Sequence, residues 1–309
     1  MALLYWLEGL RTPFLDEIMS VVTRLGEETI FMVVAIVAFW CISKKSGYYL
    51  LTVGFLGTTL NQFLKLLFRI PRPWILDPDF TIVESARDAA TGYSFPSGHT
   101  QNAVGTFGAI ARMTSRRWLR VLCIVILLAV SISRMYLGVH TPYDVGVSFV
   151  IATVLVFAVY PLMKKIDEKP SRLLWLLGGM VICSGAYLVF TYAFPFPADV
   201  DAANLQSGIS NGWKLLGATV GMLAACWLDQ KYIHFDPKAV WWAQLAKTIL
   251  GLALLLVIKS GLKAPLIALF GDPGLAGAVR YFLVVLFAAA VWPMTFRWFG
   301  KLGKAEGKH

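Results

Sequence analysis

Apolar residues in the first 26 positions recur three or four apart: Leu3, Leu7, Leu10, Phe14, Ile18 and Val21. That is the spacing of one helical face, and it predicts an amphipathic helix lying at a membrane interface over residues 1–27. The segment has neither a basic start nor a small-residue cleavage site, so no signal peptide is expected. From residue 28 the pattern changes to long apolar runs broken by short polar loops. Nine runs, at about 28–43, 47–68, 99–113, 119–138, 142–163, 173–194, 211–228, 239–258 and 278–296, read as membrane spans. Each is close to the ~20 residues that cross a bilayer. Lys247, Lys259 and Lys263 interrupt the stretch 239–271. It reads either as one long helix or as a span followed by a short re-entrant piece around 262–271.

Composition agrees with the pattern. Hydrophobic residues make up 58% of the 309 positions and charged residues only 15%, with a mean hydropathy of +0.67. These values describe an integral membrane protein. The net charge of +10 does not point to nucleic acid, because the basic residues collect in short loops between apolar runs. Sixteen Lys and Arg fall on one set of alternate loops and eight on the other. The first set is expected to be cytoplasmic, with the C-terminus on that side. Cys41, Cys123, Cys183 and Cys226 lie in or at the ends of apolar runs, with no zinc or disulfide spacing, and read as packing residues.

Three stretches place charged residues and histidines at membrane depth, where a cation costs roughly 2.5–3.5 kcal/mol on insertion scales. In KLLFRIPRP, Lys65 and Arg72 stand seven residues apart, and Pro71 and Pro73 are expected to end the helix and free Arg72 into a loop. In FPSGHT, Ser97 is suited to cap a helix whose free amides face an anion, Gly98 lets a ligand approach the backbone, and His99 follows. In SRMYLGVHTPYD, Arg134 ends a span, His140 sits in a short loop, and Thr141, Pro142 and Asp144 read as a helix start. Asp144 is placed either to cap that helix, or to hold the far nitrogen of His140, or to do both. With alternating spans, all three stretches fall on one membrane face, opposite the basic loops. Cations converging there without a metal-ligand set suit a phosphate dianion.

The pattern K-x6-RP, PSGH, SR-x5-H-x3-D resembles the three-part signature of the type 2 phosphatidic acid phosphatase superfamily. The matching positions are Lys65, Arg72, Pro73, Pro96, Ser97, Gly98, His99, Ser133, Arg134, His140 and Asp144, and the resemblance covers about residues 15–165. It implies an all-α integral membrane protein with a six-helix phosphatase core. About three additional C-terminal transmembrane helices would complete the bundle. It further implies metal-independent hydrolysis through a phosphohistidine, with no cofactor. His140 would be the nucleophile oriented by Asp144, and His99 the acid and then the base. Lys65, Arg72, Ser97, Gly98 and Arg134 would bind the phosphoryl group.

The expected domains are the interfacial helix (1–27), the catalytic core (28–170), the transmembrane extension (171–298) and a polar basic tail (299–309). The extension carries no second phosphate constellation and reads as scaffold or homodimer interface; Lys214 and Lys247, each in an apolar run, are the residues that could change that. The expected partners are membrane lipids and a phosphorylated lipid substrate: phosphatidate, phosphatidylglycerol phosphate, a sphingoid phosphate or a polyprenyl diphosphate. The alternatives are a soluble phosphate ester, because the layout is similar to glucose-6-phosphatase, and phosphotransfer to an acceptor other than water. The loop 74–94, with Asp77, Asp79, Glu84 and Asp88, reads as solvated rather than as a lid. Compact loops point to a bacterial plasma membrane, with the site facing outward.

Overall fold

Several helix starts carry side-chain caps that the sequence supplies. Thr12 Oγ1 accepts from the Leu15 amide at 3.3 Å, with Pro13 in the first helical position. Ser97 Oγ accepts from Thr100 N at 3.4 Å, and Asp272 Oδ1 from Leu275 N at 2.7 Å. Each side chain satisfies an amide that has no partner within its helix. The computed structural model describes residues 1–87 and 90–302, and these residues form helices and connecting turns with no strand. Asp88 and the last seven residues of the basic tail lie outside the described residues.

The chain divides into two compact units. The first comprises Met1–Val34, Tyr49–Leu162 and Phe194–Gly208. It holds α1 (Ala2–Glu8), α2 (Pro13–Arg24), α5 (Pro73–Leu76), α6 (Gly98–Met113) and α7 (Arg117–Tyr136). It also holds most of α3 (Glu28–Val37), α4 (Lys44–Phe68) and α8 (Pro142–Ile166). The segment read as one amphipathic helix is thus two, because Thr12 and Pro13 start a fresh helix. Leu3, Leu10, Phe14, Ile18 and Val21 are exposed, while Leu7 is buried. One part of the core joins Ala103, Val104 and Phe107 of α6 to Cys123, Leu127 and Val130 of α7 and Ala152 of α8. A second packs Leu7 of α1 with Ala86, Ala90, Tyr136, Leu137 and Val139. The loop after α5 is therefore anchored: Phe80, Ala86 and Ala90 are buried and Val83 N donates to Leu137 O at 3.1 Å. Its described acids stay at the surface, Asp77 taking a bond from Tyr5 and Glu84 pairing with Arg87.

The second unit comprises Ala35–Tyr48, Met163–Ala193 and the chain from Ile209 onward. Its main helices are α9 (Ser171–Ala193), most of α10 (Ala202–Leu228), α11 (Trp241–Gly261), α12 (Lys263–Phe270) and α13 (Pro273–Leu286), followed by a last short helix α14 (Phe296–Phe299). Fully buried Trp40 donates its indole N–H to Ala288 O at 2.7 Å. Lys247 is also fully buried: its ammonium donates to Trp40 O at 2.8 Å and Pro237 O at 2.9 Å and stands 4.2 Å from the Phe296 ring centre. A cation so engaged is a packing element.

Six helical stretches are long and apolar enough to span a membrane, or seven if the bent pair α2–α3 counts as one span. Nine were expected from the sequence. The difference has a physical origin. Helix α6 has only 16 residues and opens on polar Gly-His-Thr-Gln-Asn, and α10 carries Asn204, Gln206, Asn211 and Lys214. The run 241–270 breaks at Leu262 into α11 and α12 and still counts as one span. Three of the six stretches lie in the extension, at Ser171–Ala193, Trp241–Phe270 and Pro273–Phe299. The protein is an all-α integral membrane protein.

Candidate functional site

Every residue singled out from the three motif stretches lies in the first unit. Helix α4 ends at Phe68, and Arg69 then takes a left-handed conformation, φ 51°, from which its guanidinium returns to Leu66 O and Leu67 O, both at 2.9 Å. These bonds satisfy carbonyls left open at the helix end. Arg72, freed between Pro71 and Pro73, is buried. Its Nη2 donates to Thr91 O at 2.7 Å, its Nε to Gly92 O at 3.0 Å and its Nη1 to Val139 O at 2.9 Å. Lys65 Nζ donates to the next carbonyl along, Tyr93 O. Ser94 N closes the same strap by donating to Ile70 O at 2.8 Å. Three successive carbonyls thus hold two cations side by side.

His140 is the buried centre of the arrangement. Arg72 Nη1 lies 3.0 Å from Nε2, and Asp144 Oδ2 lies 3.5 Å from Nδ1. The same Nη1 lies 3.5 Å from Nδ1, so the guanidinium sits against the ring and not in line with either nitrogen's lone pair. The carboxylate beside Nδ1 favours the ring proton there and leaves the in-plane lone pair of Nε2 open. Burial lowers the proton affinity of His140 well below that of an ordinary histidine, and Arg72, Arg134, Lys65 and His99 lower it further. Asp144 Oδ2 also accepts from Thr141 N at 2.7 Å, while Asp144 N donates to Thr141 Oγ1 at 3.3 Å. The carboxylate therefore caps α8 and faces His140 with one and the same oxygen.

The PSGH turn is tied to this pair through its backbone, Ser97 N donating to Asp144 O at 3.1 Å. Neither a positive φ nor crowding requires glycine at 98, where an added Cβ would meet only Asn61 Oδ1, at 4.0 Å. Glycine there leaves the first amides of α6 uncovered. His99 is half-buried, and its ring makes no hydrogen bond among the described residues. Arg134, 1% exposed, donates from Nη1 to Thr23 Oγ1 at 2.7 Å. Its Nε has no hydrogen-bond partner among the described residues. Arg72, His140 and Asp144 are thus in direct contact, and Ser97 joins them through the backbone. Lys65 shares the strap with Arg72, and Arg134 accepts from Val139 N through its carbonyl at 3.2 Å.

Three contributors escaped the sequence reading. Ser94, fully buried, donates from Oγ to Asp144 Oδ2 at 2.6 Å and stands 3.4 Å from His140 Nδ1. Thr23 holds Arg134. Gly26 admits the start of α6, since a Cβ there would stand 2.8 Å from His99 O and 2.7 Å from Val130 Cγ1. Ser94 sits one residue before FPSGHT and carries no mark of its own, and Thr23 and Gly26 lie in a segment that reads as surface helix.

A helical membrane protein with its buried cations, two histidines and a carboxylate gathered at helix ends is the class that fold and geometry define. The family model described as PAP2 superfamily matches residues 45–168, and that of the PAP2 superfamily phosphatase transmembrane extension matches residues 213–305. Phosphatidylglycerophosphatase B of Bacillus subtilis is 32% identical over 178 residues, covering 53% of this chain and 80% of that protein. A probable sphingosine-1-phosphate phosphatase of Dictyostelium discoideum is 25% identical over 240 residues, 73% of this chain and 57% of the relative. The undecaprenyl-diphosphatase BcrC of Bacillus subtilis is 29% identical over 147 residues, 46% of this chain and 72% of the relative. No solved structure matches. The chain belongs to the PAP2 superfamily, and these relatives are lipid phosphatases.

Proposed function

We propose that this protein hydrolyses the phosphate monoester or diphosphate of a membrane lipid through a phosphohistidine on His140, without a metal ion. The observation that carries the reading is the 3.0 Å approach of Arg72 Nη1 to Nε2 of a buried His140 whose Nδ1 faces Asp144. It presents a lone pair where a phosphoryl group held by Arg72 would arrive. Lys65, Arg72, Arg134, Ser97 Oγ and the Gly98 amide bind the phosphoryl oxygens. Nε2 attacks phosphorus and the bond to the leaving oxygen breaks. Asp144 stabilises the imidazolium that forms. His99, protonated once the negative charge of the substrate is bound among the neighbouring cations, gives its proton to the leaving oxygen, a role that contributes typically 10²–10⁴-fold. Neutral His99 then takes a proton from water, whose oxygen attacks the phosphohistidine. Phosphate leaves and both rings are restored.

The lipid class rests on the site's surroundings. Phe68, Ile75, Leu76 and Tyr143 are exposed within a few residues of Arg72 and His140, an apolar border suited to an acyl or polyprenyl tail. The names of the three relatives above all denote phosphatases of phosphorylated lipids. The loop charges favour a site on the outer face with the C-terminus cytoplasmic, and the compact loops favour a bacterial plasma membrane. The test is phosphate release by purified protein with chelator present, from phosphatidate, phosphatidylglycerol phosphate, undecaprenyl diphosphate, sphingosine phosphate and glucose 6-phosphate. The reading expects chelator-resistant release from a lipid, lost in His140→Ala and His99→Ala variants that still insert. A metal requirement, a preference for glucose 6-phosphate, or transfer to an acceptor without free phosphate would overturn it.

A further inference from the structure

A cavity of about 480 Å³ opens among α6, α7 and α8, lined by none of the candidate site residues. Its volume lies in the range of small-molecule sites, ~300–1,000 Å³. Val104 and Gly108 of α6, Leu127 and Leu128 of α7, and Phe149 and Phe157 of α8 make up much of its wall, and Arg112 and Arg120 complete the lining. The distance from the candidate active site can be read along each helix. Thirteen residues separate His99 from Arg112, fourteen Arg120 from Arg134, and thirteen Asp144 from Phe157. Each interval is about 20 Å at 1.5 Å per residue. The cavity therefore runs from Val104 and Phe149, each five residues or about 8 Å from His99 and Asp144, to the guanidiniums about 20 Å away.

We infer that this cavity binds the acyl chain of an anionic phospholipid, whose phosphate is held by Arg112 and Arg120. Three observations favour that occupant. The wall is open sideways, since Leu128 is 44% and Phe157 58% exposed, so an acyl chain enters from the bilayer. The charge at the mouth is of one sign: Arg112, Arg116, Arg117 and Arg120 cluster between α6 and α7, and neither helix contains an acidic residue. None of the four makes an ion pair among the described residues. The two lining guanidiniums are also held in place. Arg112 stands 4.2 Å from the Tyr160 ring centre, and Arg120 donates to Thr114 O at 2.9 Å and Ala111 O at 3.3 Å. Each keeps donors for a phosphate. A lipid seated here would brace the helices whose other ends carry His99, Arg134 and Asp144.

The test uses delipidated full-length protein in detergent and native mass spectrometry. Dioleoyl phosphatidylglycerol, a diester with no terminal phosphate, is titrated against dioleoyl phosphatidylcholine with the same chains. The expected result is one tightly retained phosphatidylglycerol, preferred by at least about fivefold, the worth of roughly one basic residue near an anionic lipid. Arg112→Gln should erase most of that preference. Gly108→Leu should abolish retention while the hydrodynamic size stays unchanged. A phosphatidylglycerol carrying a mid-chain diazirine locates the site without any substitution and should label peptides of α6–α8 around Gly108, Leu127 and Phe157. Equal retention of the two lipids, an unchanged preference in Arg112→Gln, or labelling confined to other helices would overturn the inference.

Discussion

Arg72 Nη1 lies 3.0 Å from His140 Nε2, and the same guanidinium is fixed by the carbonyls of Thr91, Gly92 and Val139. The side chain that would bind phosphate thus lies against the ring that would attack it, while Asp144 at Nδ1 leaves Nε2 as the open nitrogen. A lysine keeps the charge but cannot reach three carbonyls in a planar fork. Arg72→Lys is expected to lower kcat/KM by about 10²–10³-fold, the cost of one preorganised charged donor, with normal membrane insertion. Steady-state phosphate release checks this.

His140 is buried with a proton affinity below that of an ordinary histidine. The unfolded chain therefore binds a proton near pH 6.5 that the folded chain refuses. The resulting stability is present above that pH and is lost as pH falls through it, down toward the lowered folded value. Melting temperature in detergent should drop between pH 7 and pH 5. His140→Gln should flatten that slope, as followed by thermal unfolding at each pH.

Ser94 donates to the carboxylate oxygen that faces His140. A hydrogen bond to a charged group contributes about 1.5–3 kcal/mol. Ser94→Ala should lower kcat by about 10–100-fold and leave KM nearly unchanged, because Ser94 positions Asp144 and does not bind phosphate. Parallel measurement of the two constants separates these effects.

Two glycines give a matched contrast. At Gly98 an added methyl meets only Asn61, whereas at Gly26 it collides with His99 O and Val130. Gly98→Ala should therefore unfold like the parent yet lose activity, since the methyl covers the α6 amides. Gly26→Ala should cost stability as well, by about 1–3 kcal/mol of overpacking. Thermal unfolding paired with phosphate release distinguishes them.

The charged members of the site were legible in the sequence because Lys65, Arg72, Arg134 and the two histidines are costly in an apolar chain. Helix ends at Pro71–Pro73 and Thr141–Asp144 were legible from proline and capping chemistry. The strap was not. Its acceptors are the carbonyls of Thr91, Gly92 and Tyr93, joined by that of Val139 from the loop before α8, and a backbone carbonyl leaves no signature in residue type. Thr23 and Gly26 were hidden for a different reason: the helical periodicity around them reports an apolar face and says nothing of the other side. The nine expected spans became six or seven because periodicity marks apolar runs, while the length of α6 and the polar residues of α10 decide whether a run can cross alone.

The most direct test is to trap the covalent intermediate. Protein is mixed with lipid substrate labelled in its terminal phosphate, quenched in alkali within one turnover, and mapped by peptide. The mechanism predicts an alkali-stable, acid-labile phosphate on Nε2 of His140, absent from His140→Ala and longer-lived in His99→Ala. Turnover with no label on His140, or a label on another residue, would contradict it.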